Sequence, residues 1–208
     1  MRVKPIYRVI KDFYNWLLPL VVINILWVFM GFTLVLLPPA TAALYETAHR
    51  AARGEGPRVT MFLQAVRRWL LRSWLWGVPT GFLLVAGFIA LSVYSSMDSA
   101  FGPALTLATV LILLLLYMIQ FYFWPYVMLQ EKASFREAAR NALFTTLGDP
   151  LLPLINAGLV LISLLLGLVL IAPIIFFVPV FSAFLGVYSL RAWLIHHDLL
   201  DAPDPDAN

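Results

Sequence analysis

Four long stretches of this chain carry no ionisable side chain. No Asp, Glu, Lys, Arg or His occurs from Phe13 to Tyr45, Trp74 to Met97, Ser99 to Gln130 or Pro150 to Leu190. A helix that crosses a bilayer needs about 20 apolar residues. The first three stretches each hold one such helix. The fourth is about twice that length, and Pro173 divides it. An N-terminal signal peptide is a poor reading of the first stretch, because its apolar core would be about 7–15 residues. The expected fold is all-α, a polytopic helical membrane protein forming a single integral membrane domain over 1–208. Five hydrophobic helices are predicted near 14–37, 74–93, 103–128, 150–171 and 174–194. Short amphipathic cytoplasmic helices are predicted near 41–53, 60–73 and 134–147.

Composition excludes most other classes. The chain is 62% hydrophobic and 12% charged, whereas a soluble domain is about half apolar and a quarter charged. Seven Trp residues fit aromatic belts at lipid headgroups. The net charge of +3 and the pI near 9.3 come from basic residues flanking the apolar runs. They point to anionic lipid and topology, so no nucleic-acid partner is expected. With no cysteine, thiolate metal sites, disulfides and cysteine nucleophiles are excluded. His49, His196 and His197 all lie outside the apolar runs, which argues against a mid-bilayer haem.

The polar segments are patterned. Pro38-Pro39 is expected to stop the first span, and Glu46 and Arg50 stand at helical pair spacing. Gly54-Glu55-Gly56-Pro57 breaks the next helix. From Met61 to Ser73, Gln64, Arg67, Arg68 and Arg72 share one face, while Phe62, Val66, Trp69 and Leu70 cover much of the rest. That is the pattern of a helix lying in the interface. Ser134 to Glu137 reads as a capping box, and Asp149-Pro150 as the start of the fourth span. Pro79, Pro125 and Pro179 sit in apolar runs and are expected to kink them, and a tight hairpin is expected at Ala172-Pro173.

Lysine and arginine set the orientation. The 38–73 and 129–149 connections hold nine basic residues and the 94–102 connection none, so the first two are expected in the cytoplasm. Five full spans then place the N-terminus outside, against the pull of Arg2, Lys4, Arg8 and Lys11. A re-entrant first segment would relieve that conflict.

Few residues could carry chemistry. Asn24, Gln120 and Asn156 are the strong polar groups inside the spans. They read as hydrogen-bonding glue between helices in preference to a substrate path, because no carboxylate accompanies them for ion coupling. The aromatic group Tyr117, Phe121, Tyr122, Phe123, Trp124 and Tyr126 reads as an interfacial belt, with a stacking site for a sugar or pigment as the alternative. Gly77 to Gly81 matches GxxxG and reads as internal packing. His196-His197, near Asp198 and Asp201, reads as a solvated helix end, since adjacent helical residues do not share a face. No phosphate-binding, dinucleotide or zinc-protease motif occurs. No catalytic, metal or cofactor residue is assigned. The candidate surface for a partner or lipid is Arg67, Arg68, Arg72, Arg136 and Arg140.

The run Asn24-Ile25-Leu26-Trp27, then Leu37 to Tyr45, then Arg53-Gly54-Glu55 and Phe62 to Val66, resembles the YesL family of bacterial membrane proteins. Glu137 to Leu143 and Asp149-Pro150 extend the resemblance over nearly the whole chain. Pro38 stands where the family has Gly, and Val66 where it has Phe. The family is uncharacterised, and its genes often lie near sugar-uptake and polysaccharide-degradation systems. The resemblance implies a multi-pass protein of the bacterial plasma membrane with a helper role in carbohydrate import, and it supplies no catalytic or binding residues. The first functional expectation is a non-enzymatic accessory or scaffold protein whose partners are the lipid bilayer and a membrane transporter or other membrane complex. The alternative is a permease-like transport protein without ion coupling. For that, Glu137-Ala138-Ala139 resembles the loop by which ABC importer permeases dock their ATPase, though the expected later Gly is absent. A membrane enzyme ranks last, for want of an acid, base or metal cluster.

Overall fold

The structure, a computed structural model, describes residues 14–130, 132, 134–170 and 177–200. Eight helices run through them: α1 (Leu17–Phe32), α2 (Leu37–Ala51), α3 (Val59–Trp69), α4 (Trp74–Ser95), α5 (Gly102–Leu129), α6 (Phe135–Gly148), α7 (Leu151–Leu170) and α8 (Val178–His196). The chain is an all-helical membrane protein. Helices α4, α5 and α8 are long and apolar enough to cross a bilayer, and α6 with α7 makes a fourth crossing if that bent pair is taken as one.

The molecule divides into an arm and a body. In the arm, α4 packs against α5 and has no buried residue at all. Phe82, Phe88, Ile89 and Ile112 stand exposed along it. So much contiguous exposed apolar surface has no aqueous explanation and calls for lipid. Pro79 and Pro125 lie inside α4 and α5. Helix α5 has 28 residues, about 42 Å at 1.5 Å per residue, while the hydrocarbon is about 30 Å thick. Its surplus end enters the body, where Phe121 to Val127 are all buried.

Helix α2 is the centre of the body, packing on α1, α3, α5 and α8 and touching the start of α4. Ala40, Ala42, Ala43 and Ala48 are fully buried, and their small side chains let neighbouring helices approach closely. The short helix expected to lie on the cytoplasmic surface is therefore an interior element. Pro38 and Pro39 do not stop the preceding helix. They occupy the first turn of α2, where a missing N–H costs nothing and φ is already helical.

The first apolar segment is not one helix to residue 37. Helix α1 ends at Phe32 after 16 residues, short of a full crossing. Leu34 at φ 53° turns the chain, and Thr33 fixes the turn by donating to the Met30 carbonyl and accepting from Leu36 N–H. Helix α2 then returns beside α1. Trp27 Nε1 donates to Thr41 Oγ1 at 3.1 Å, and the Trp16 indole lies against Gly56. The start of α1 and the end of α2 thus share one end of the molecule, the hairpin geometry that the alternative reading required.

Helix α6 meets α7 at 98°, so if α7 crosses the bilayer α6 lies along its surface. Of the expected capping box only the serine half forms: Ser134 Oγ accepts from Glu137 N–H, while Ser134 N–H donates to Gln130 Oε1. Pro179 sits in the first turn of α8 and not in its interior. The hairpin expected at Ala172-Pro173 lies outside the described residues.

Candidate functional site

Two arginines of the 38–73 segment converge on one carboxylate. Glu46 projects from α2 with Ala42 and Ala43 one turn behind it, is buried, and accepts from Arg68 Nη1 at 3.0 Å and Trp69 Nε1 at 2.8 Å. Arg50, four residues on, closes the group at 3.5 Å and reaches Glu55 at 3.8 Å. This fixes α3 on α2. Arg68 is thus a structural cation, although its side chain is 58% exposed. Only the Glu46–Arg50 spacing was legible in the sequence; the carboxylate's role was missed. The available signal was an acid following two alanines on the small face of a helix.

Helix α3 buries Phe62, Ala65, Val66 and Trp69. Its apolar face therefore seats on protein, not in the membrane interface as its amphipathic pattern implied. Trp69 meets Trp124 edge-on at 5.8 Å and stacks on Phe135 at 6.3 Å. Trp76 stacks on Phe123 at 3.7 Å. These rings tie α3, α4, α5 and the start of α6 together. From Phe121 to Tyr126 the aromatic run of α5 is a packed core and not a belt, since Tyr122 and Phe123 are fully buried and Trp124 nearly so, while Tyr117 is exposed.

The stack joins the end of α3 to the start of α6. Arg67, Arg136 and Arg140 are exposed, and Arg72 lies 5.8 Å over the Trp69 ring, a cation–π contact. Arg136, Glu137 and Arg140 line a hollow of about 300 Å³. Ala138 of the Glu137-Ala138-Ala139 segment is buried, so its small side chain serves packing.

The three intramembrane amides separate. Gln120 accepts from Trp76 Nε1 and donates to Thr80, both at 2.8 Å, and so joins α4 to α5. Asn24 accepts from Val180 N–H at 2.9 Å, which satisfies an orphan donor in the first turn of α8 from another helix. Asn156 is fully buried beside Tyr122, yet neither side chain makes a well-directed hydrogen bond. Gly77 packs on Pro38, while Gly81 faces open space, so half of the GxxxG pattern is a contact.

His49, at the end of α2, is pushed down to about 4 by burial first and then by Arg191, Arg53 and Arg50. It is neutral at pH 7. His197 packs on Trp193 and bonds its carbonyl through Nδ1. No group of three metal-ligating side chains gathers among the described residues; Asp201 lies outside them.

Residues 20–92 match the model of a family described as a protein of unknown function, DUF624. The matched segment spans α1 from Leu20 through α3 and most of α4, and so includes Glu46 and the arginines of α3. No curated protein and no solved structure matches the chain.

Proposed function

We propose that this is a non-enzymatic accessory protein of the bacterial plasma membrane, and that it works through the layer built by α3 and α6 on the cytoplasmic side. The carrying observation is the Trp69–Phe135 stack, which joins the end of one basic helix to the start of the other. Phe62, Ala65, Val66 and Trp69 of α3 and Ala138 and Ala142 of α6 are buried, and Arg67, Arg136 and Arg140 are left outward. A surface of this kind is complementary to an acidic patch on a membrane partner. The resemblance to the YesL family favours a carbohydrate import system as that partner. The spans offer less: two of their three amides are engaged in holding helices together. The α1–α2 hairpin brings the start of α1 beside the end of α2, the end that carries Arg50.

The test is retention of co-purifying protein from native membranes in mild detergent. Arg67→Glu should lose the partner while folding normally; Asn24→Leu/Gln120→Leu should keep it and melt earlier. Loss in the amide variant alone would move the site into the bilayer. Because the chain has no cysteine, single cysteines at Gly56 and Ser96 report the orientation in the same cells. Only the one at Ser96 should label from outside.

A further inference from the structure

The two faces of α6 differ sharply. Ala138, Ala142, Thr145 and Thr146 are buried against the body. The opposite stripe reads Arg136, Arg140, Phe144, Leu147 at intervals of about one turn, and all four are exposed, Phe144 at 64% and Leu147 at 60%. The stripe is thus cationic at its start and apolar at its end. The apolar end runs to the 98° bend, beyond which Leu151 and Leu154 of α7 are exposed as well. The hollow of about 300 Å³ lies at the cationic end.

We infer that this stripe binds one anionic phospholipid, its phosphate held by Arg136 and Arg140 and its acyl chain laid along Phe144 and Leu147 toward α7. Three observations converge on a lipid. A helix turned by about a right angle from an apolar helix lies at headgroup depth if that helix crosses the bilayer. Two guanidinium groups one turn apart match the oxygens of a phosphodiester. Phe144 and Leu147 beyond them are left exposed and have an acyl region to enter. Glu137 also lines the hollow, so its described lining carries two cations and one anion, a surplus that favours an anionic headgroup over a zwitterionic one.

The inference refines the reading above by dividing the layer: the α6 arginines serve lipid, and the α3 arginines serve the partner. The experiment is native mass spectrometry of the purified full chain with phosphatidylglycerol, phosphatidylcholine or inorganic phosphate, beside thermal melting. Phosphatidylglycerol should be retained and should raise the melting temperature, and the other two should not. Arg136→Gln/Arg140→Gln should bind about thirty-fold more weakly, about five-fold per arginine, with its melting in lipid-free detergent unchanged. Phe144→Ser/Leu147→Ser should also lose retention. An equal response to inorganic phosphate would make this a free-anion site and overturn the proposal. So would equal retention of phosphatidylcholine, or wild-type lipid binding by the arginine variant. If the α6 arginine variant binds lipid normally but drops the co-purifying protein, α6 is a partner surface instead. Partner retention lost only in the Arg67→Glu variant leaves the lipid result standing by itself.

Discussion

Helices α2 and α4 have the compositions one would assign to each other's places. Helix α2 carries Glu46, Thr47, His49 and Arg50 and buries ten of its fifteen residues. Helix α4 has no ionisable residue and buries none. In water the apolar helix would be inside. Here the surroundings of the arm are hydrocarbon, so apolarity says only what a helix can face, and burial is decided by side-chain size and polar pairing. Helix α2 is central because alanines let its neighbours close in and because its one acid finds three donors.

The contrast is tested hardest by glycines. A Cβ at Gly186 of α8 would stand 2.8 Å from the Phe121 carbonyl oxygen and 3.3 Å from the Tyr45 ring. At Gly81 of α4 it would meet nothing within 4 Å. Gly186→Val should cost about 3 kcal/mol, while Gly81→Val should stay within about 0.5 kcal/mol, both read as unfolding free energy in detergent. Equal costs would mean that arm and body are packed alike.

The next effect is at Glu46. Replacing it with Leu leaves the buried Trp69 N–H without its acceptor and removes the pairing of Arg68. Breaking a fully buried ion pair costs about 3–5 kcal/mol; with Arg68 half in solvent, about 2 kcal/mol is expected. Val85→Leu, an apolar exchange at an exposed position of the arm, should be neutral. A silent Glu46→Leu would show that the carboxylate is not what fixes α3 to α2.

An effect of similar size is a pH dependence confined to the body. His49 sits at about 4 in the folded chain against an ordinary 6.5, so below pH 6.5 the unfolded chain takes up a proton that the folded chain refuses. Stability should be full above pH 6.5 and fall as the pH drops toward 4, by about 2 kcal/mol once the half-buried position is discounted. His49→Gln should flatten the melting temperature across that window, and substitutions in the arm should leave it unchanged. A slope that survives His49→Gln would assign the titration to another group.

The sequence by itself determined the class, the apolar helices and most of their limits. Charge-free runs of that length have only the bilayer as a solvent, and the backbone there has to be helical. It also marked Gln120 as glue, because an amide in hydrocarbon needs a partner. Only the tertiary structure decided that α2 is interior, that α1 turns back at Leu34, and that the aromatic run of α5 is core and not belt. Periodicity reports that a helix has two faces but not what covers either one. The apolar face of α3 could lie on lipid or on protein with the same pattern of residues. The choice was made by Glu46, Trp124 and Phe135, which are distant in sequence from α3 and adjacent to it only in the folded chain.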